Sequence, residues 1–217
     1  LLYPCFCSRA DLHAAQAPHA SDGAYVYAGT CRDLSKSERE ELSKHKIPAT
    51  RIRVPNKTYA FEDKVYGQTS QNLSKLCGDF IVQRADEVFA YQLAVVVDDA
   101  DMGVTEVVRG SDLLSSTPRQ LYLQDVLGLS HPIYAHLPLL VAPDGRRLSK
   151  RNHDLDLGVL RDQGKTPEEI LGFLAYCIGL AEKEEPLSAA QVANRFSWDV
   201  LRAHRKNVVV EHFSHVL

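Results

Sequence analysis

Hydrophobic and polar positions follow two rhythms along the chain. Arg51–Val54 and Lys57–Phe61 alternate and are β-branched or aromatic, which predicts two short strands separated by a Pro55–Asn56 turn. Asp79–Gln83 and Thr105–Val108 read as further strands, as does the apolar run from Pro132 to Val141. Phe89–Val97 is continuously apolar, and periodicity alone does not separate a buried strand from a buried helix there. Ser111–Leu127 predicts a helix capped by Ser111, and the capping box Ser35-Lys-Ser-Glu38 predicts one running to about His45. After Asn152 the pattern turns helical. The segments are Leu155–Gln163, Pro167–Ile178 behind a Thr166 cap, and a third helix after Ser188. Strands alternating with helices in the middle predict an α/β fold with a parallel sheet, followed by a small C-terminal helical unit.

The first 31 residues fit neither rhythm. The stretch from Cys5 to Cys31 is rich in Ala, Pro, His, Ser and Gly and holds three of the five cysteines. Cys5-Phe-Cys7 puts two thiols one residue apart, so a turn can aim both at one cation, and Cys31 needs only the loop to fold back. Zinc takes four ligands. Candidates for the fourth are Tyr27, His13, His19 and Asp33, with histidine the commoner ligand by chemistry. Cys77 and Cys177 stand in apolar surroundings and read as buried thiols. An odd cysteine count in a 217-residue chain with no marks of secretion argues against a disulfide framework.

Charge adds local features only. At 45% hydrophobic, 24% charged and a net charge of −3, the chain reads as an ordinary soluble protein without the overall positive field of a nucleic-acid binder. No apolar run approaches a membrane span and no signal pattern opens the chain, so a cytoplasmic location is expected. Two cationic patches remain: Arg146, Arg147, Lys150 and Arg151, and then Arg202, His204, Arg205 and Lys206. In GRRLSKRN the lysine stands on a Gly-led turn after an apolar strand, where it could bring an ammonium to a polyphosphate. Taken alone, such a turn is ordinarily solvated surface. Arg109 follows a strand and precedes a glycine, a position where α/β sheets present ligand-binding side chains. With Tyr91 it could hold a small carboxylate. A core tyrosine and a structural Arg–Asp pair are the simpler reading without further information. Asp98 and Asp99 end the apolar run and must sit at a boundary, with no assigned role beyond capping or pairing.

YQLAVVVDDADMGVTEVVRGSDLLSSTPRQLYLQDVLGL followed by HLPLLVAPDGRRLSKRN resembles the second half of the catalytic domain of the glutamyl/glutaminyl class I aminoacyl-tRNA synthetases. The likeness runs closely from about Asp79 to Asn152. It makes Arg147-Leu148-Ser149-Lys150-Arg151 the KMSKS-type loop, with arginine in place of the usual first lysine and Lys150 as the phosphate-contacting lysine. It implies that Tyr91 and Arg109 bind glutamate, and that ATP, with Mg²⁺, is a substrate. The pattern Cys5-x-Cys7…Tyr27-x-x-x-Cys31 resembles the structural zinc site of a shortened branch of the family that glutamylates the queuosine of tRNA(Asp), and there the tyrosine is the fourth ligand. The loop between Cys7 and Tyr27 is longer than that branch leads one to expect, which keeps His13 and His19 in play.

The resemblance implies a division into a zinc-binding connective subdomain (1–78), the second half of a Rossmann-like catalytic domain (79–152) and a C-terminal helical region (153–217), in a protein expected to be monomeric. A truncated glutamyl-tRNA synthetase charging the 3′ end of tRNA(Glu), or a non-catalytic zinc-stabilised RNA-binding fragment, are the alternatives. The chain opens at Leu1 without methionine, and the family's HIGH-containing first half is expected to lie outside these residues, so this chain alone is not expected to activate glutamate.

Overall fold

A computed structural model describes residues 1–8, 26–146, 148 and 157–210. The chain forms two compact units. The first comprises Leu1–Phe61, Gln68–Glu106 and Ser115–Pro132; the second comprises Glu62–Gly67, Val107–Leu114 and Ile133–Leu217.

The first unit is built on an antiparallel sheet of β1 (Leu2–Cys5), β2 (Ala49–Ile52) and β5 (Phe80–Gln83), with β2 in the centre. Its register runs from Leu2 opposite Ile52 to Cys5 opposite Ala49, which fixes the first cysteine at the end of a paired strand. Helix α1 (Lys36–Ser43) starts where its signature predicts. The Ser35 hydroxyl accepts from the Glu38 amide while the Glu38 carboxylate accepts from the Ser35 amide. Strands β3 (Thr58–Asp63) and β4 (Gly67–Asn72) are neighbours, and the one-turn helix α2 (Leu73–Leu76) follows. Strand β4, GQTSQN, has no apolar alternation and is not visible as a strand in the sequence.

The apolar run that allowed two readings is helix α3 (Tyr91–Asp101). Phe89 still pairs with Gln83, and the Ala90 amide donates to the Val82 carbonyl, so Tyr91 is the first residue to leave the sheet. Val96 is buried, and Gln92 ties α3 to α4 by accepting from Gln120 at 2.9 Å. Packing against a neighbouring helix overrides the strand preference of three consecutive valines. Asp98 and Asp99 occupy the last turn, and their carbonyls accept from the Met102 and Val104 amides.

The single helix expected over Ser111–Leu127 is divided. A 3-10 helix covers Ser111–Ser116, and α4 covers Thr117–Leu127. Ser111 is therefore not the cap of the α-helix. Pro118 has no N–H and would clash with the preceding turn inside a helix, so it sits in the first turn and the α-helix starts beside it. Helix α4 is the most buried of the first unit, with Leu121, Tyr122 and Leu123 in the core and Tyr122 edge-on to both Tyr59 and Phe80.

In the second unit the end of β3, then β7 (Ile133–Leu137), then β6 (Glu106–Gly110) lie side by side, and Asp63 pairs in parallel with Tyr134. Strands β8 (Leu140–Val141) and β9 (Val208–Val209) form a second parallel pair. Between them come α5 (Leu157–Asp162), α6 (Pro167–Cys177), α7 (Ala189–Arg195) and α8 (Trp198–Ala203). Thr166 caps α6 as expected, and Ser188 caps α7 where a third helix is expected to begin, each with a reciprocal capping box. Leu160, Phe173 and Val210 form one apolar cluster, against which Cys177 packs, and Ala175, Leu180, Ala181 and Leu187 form another. Gly172 is required by contact, because a Cβ there would meet the Glu185 carbonyl oxygen at 1.7 Å. Helix α8 and strand β9 are each too short to show a period in the sequence.

Candidate functional site

In the first unit, β1 ends at Cys5, and the chain turns so that Cys7 and Cys31 meet it, with all three sulfurs within 4.8 Å of one another. The Cys7 and Cys31 sulfurs are 3.6 Å apart, and the Tyr27 phenol oxygen lies 3.6 Å from the Cys5 sulfur and 3.7 Å from that of Cys7. Tetrahedral zinc with bonds near 2.3 Å to sulfur and 2.0 Å to oxygen has S···S edges of about 3.8 Å and S···O edges of about 3.5 Å. These three edges match the size of a metal tetrahedron. Of the other candidates for the fourth ligand, His13 and His19 lie outside the described residues, and Asp33 instead accepts from Arg53 at 3.1 Å on the surface.

The surroundings suit anionic ligands. Tyr27 is held by a bridge to Gly78, whose φ of +60° and 2.6 Å clearance between an added Cβ and the Tyr27 carbonyl oxygen admit only glycine. The Tyr27 oxygen accepts the Cys31 amide at 2.8 Å, and the Cys31 sulfur lies 3.4 Å from the Phe6 amide, which points its hydrogen at it. Buried Arg51 donates Nε to the Cys5 sulfur at 3.1 Å and lays its guanidinium 3.8 Å from the Tyr27 ring centre. Burial raises the Cys5 pKa, but bonds from Arg51 and neighbouring groups outweigh it and bring the thiol below its ordinary value. Burial pushes Cys7 up to about 11 and Tyr27 upward as well. A divalent cation supplies the charge that draws protons from such groups, so the cluster could bind a metal ion.

Asp79, just before β5, locks this region. It accepts from the Tyr3 hydroxyl at 2.6 Å, from Arg32 Nε at 2.7 Å and from the Val54 amide at 2.9 Å. Burial disfavours its charge, yet these donors prevail and hold its pKa below the usual carboxylate value. Sequence reasoning missed both Asp79 and Arg51 as supports of the cluster. Each looked like a polar residue at a strand, and only the fold shows that both are buried.

Tyr91 lies in the first unit as the first residue of α3 and is 55% exposed, so it is not a core tyrosine. Arg109 belongs to the second unit, on β6, one residue before the strand ends. Its Nε donates to His136 Nε2 at 3.0 Å, and its guanidinium lies 5.2 Å from the Tyr134 ring centre. His136 Nδ1 meets the Asp63 carboxylate at 2.6 Å, and both side chains are fully buried. Arg109 is thus linked to Asp63 through an imidazole. Burial raises the Asp63 pKa, but His136 and the amides of Tyr66, Val65 and His136 more than offset this, and the net shift is downward.

The basic loop is defined at its entry. Gly145 has φ +80°, its amide donates to the Ala142 carbonyl, and Arg146 is held by Asp144 through both its amide and its guanidinium. Leu148 is half-buried. Arg147, Ser149, Lys150 and Arg151 lie outside the described residues. In the second cationic patch Arg202 donates to the Lys64 carbonyl and pairs with Asp199.

Residues 1–214 match the family of class I tRNA synthetases (E and Q), catalytic domain. The chain is 47% identical over 211 residues to the glutamyl-Q tRNA(Asp) synthetase of Symbiobacterium thermophilum, covering 95% of this chain and 64% of that protein. It is 51% identical over 161 residues to the protein of the same name from Geobacter sulfurreducens, covering 74% of this chain and 49% of that protein. The chain thus spans about half to two thirds of the length of these relatives. Among solved structures, a glutamate-tRNA synthetase from Elizabethkingia anophelis superposes with a TM-score of 0.74 at 24% identity, over 97% of this chain and 48% of that one, which shows a shared fold. Among the described residues no helix is long and apolar enough to cross a membrane. The chain belongs to the catalytic-domain family of the glutamate- and glutamine-type class I tRNA synthetases.

Proposed function

We propose that the full-length protein activates L-glutamate with ATP and transfers the glutamyl group to the queuosine base of tRNA(Asp). The observation that carries this reading is 47% identity, across 95% of the chain, to a protein named for that activity. A guanidinium held at the end of β6 supports it on the side of the substrate. In the first step a glutamate carboxylate oxygen attacks the α-phosphorus of ATP, the bond to the bridging oxygen breaks, and pyrophosphate leaves. Lys150, with Arg147, Ser149 and Arg151 around it, would stabilise charge developing on the phosphates. In the second step the glutamyl group passes from the adenylate to the queuosine, and AMP leaves. Arg109 would pair with a glutamate carboxylate and Tyr91 would donate a hydrogen bond to the substrate. Such a site rejects an apolar analogue because its polar groups would be left unpaired.

Zinc would be held by Cys5, Cys7, Cys31 and Tyr27, supported by their spacing and by Arg51. With four protein ligands it has no position left for chemistry and would serve the fold. The test is glutamate-dependent ATP–pyrophosphate exchange by the full-length protein. Exchange is expected with glutamate and to be at least about 100-fold weaker with glutamine, whose amide cannot form the charged pair. Equal exchange with both amino acids, or none with glutamate, would contradict the reading.

A further inference from the structure

Arg109 ends a chain of buried polar groups that the glutamate-binding reading does not use. Arginine only donates, so at 3.0 Å from Arg109 Nε the His136 Nε2 must be the acceptor. The ring proton then sits on Nδ1 and is donated to Asp63 at 2.6 Å. His136 is therefore neutral, with its tautomer dictated from both sides. Asp63 is itself fixed, because its carboxylate also accepts the amides of Val65, Tyr66 and His136. Tyr134 and His136 alternate along β7 on one face and stack at 16°, with the Arg109 guanidinium beside the Tyr134 ring.

We propose that Asp63 and His136 are positioning residues for Arg109, orienting its guanidinium to meet the substrate carboxylate. The proposal rests on the reading of Arg109 as a glutamate-binding residue. A guanidinium grips a carboxylate in its own plane, so fixing that plane fixes the geometry of recognition. His136 engages Nε, and Nη2 also donates to the Leu113 carbonyl at 3.5 Å, so the plane of the guanidinium is fixed at two points. The interposed imidazole also has an electrostatic consequence. Asp63 placed directly against Arg109 would neutralise the cation that has to attract an anionic substrate. A neutral histidine passes on the orientation and leaves the positive charge in place.

The experiment compares variants of the full-length protein in pyrophosphate exchange, with separate KM values for glutamate and ATP. His136→Asn keeps an N–H for Asp63 but removes the acceptor for Arg109. His136→Gln can return a carbonyl oxygen to the acceptor position. His136→Asn is expected to raise the glutamate KM about 10- to 100-fold, the scale of one hydrogen bond to a charged group, with the ATP KM changed less than about twofold. His136→Gln should recover part of that loss, and His136→Asn added to Arg109→Ala should be no worse than Arg109→Ala alone. A glutamate KM within about twofold of wild type in His136→Asn, while Arg109→Ala raises it strongly, overturns the proposal. So does a parallel rise in both KM values or an additive double variant. If Arg109→Ala leaves the glutamate KM unchanged, the Arg109 reading falls first and takes this proposal with it. Should His136→Asn fail to fold, Asp63→Asn takes its place, and an unchanged glutamate KM there is equally decisive against the proposal.

Discussion

The two polar clusters use buried charge in opposite ways. Around Cys5, Cys7, Cys31 and Tyr27 every group turns inward, and the cation of Arg51 lies against the sulfur and the ring that would carry negative charge. Around Asp63 and His136 the anion is set deep, and the bonds run from it through the imidazole to the cation, Arg109. The first arrangement closes a site on itself and suits a structural metal. The second delivers an oriented positive charge to the end of a strand and suits recognition of an anion. On the proposed reading, arginine with buried acids or thiols would serve structure in one cluster and recognition in the other.

The comparison breaks most visibly if the basic loop has no part in the recognition side. Lys150→Ala in the full-length protein is expected to lower pyrophosphate exchange by about 100-fold or more, with the fold intact by circular dichroism. An unchanged rate would remove the loop from the mechanism. Next in size is the metal side. Cys5→Ser is expected to reduce zinc from about one per chain to near zero by elemental analysis, with a lower melting temperature. A variant that keeps its zinc would sink the assignment.

Arg51→Met sharpens the contrast within that cluster, since it keeps the bulk and removes the cation. Zinc retention against a chelator should weaken by about 10-fold, the usual scale for groups that support metal ligands. Equal retention would reduce Arg51 to a packing residue. Smaller again is the acid response of Asp63. Its folded pKa is depressed, so its contribution is fully present above the unfolded value of about 3.9 and is lost as pH falls through the lower folded value. The stability gap between wild type and Asp63→Asn should be about 2–3 kcal/mol at pH 7 and should narrow progressively as pH falls below about 4 in denaturant melts. A gap independent of pH would contradict the charged role of Asp63.

What could be read from the sequence follows from the range of the interactions involved. The caps of α1 and α6 were legible because a capping box is complete within four residues. The thiol cluster was legible because Cys5-x-Cys7 and Cys31 have little other use, and the match of Tyr27 rested on a resemblance rather than on its chemistry. Asp63 and His136 are 73 positions apart and meet only once β3 and β7 pair. Nothing local distinguishes Asp63 from an ordinary turn aspartate or His136 from a strand histidine. Arg51 and Asp79 were hidden for the same reason, as polar residues whose partners come from distant segments. Strand β4 carries no apolar alternation, and its pairing with β3 decides its conformation.

The central claim is that this catalytic-domain chain serves glutamate transfer to a modified base. The most direct measurement is transfer of labelled glutamate by the full-length protein to tRNA(Asp) with and without queuosine, alongside tRNA(Glu). Label is expected on queuosine-containing tRNA(Asp) alone, and stable to removal of the 3′-terminal nucleotide. Label on the 3′ end of tRNA(Glu), or on neither tRNA, would contradict it.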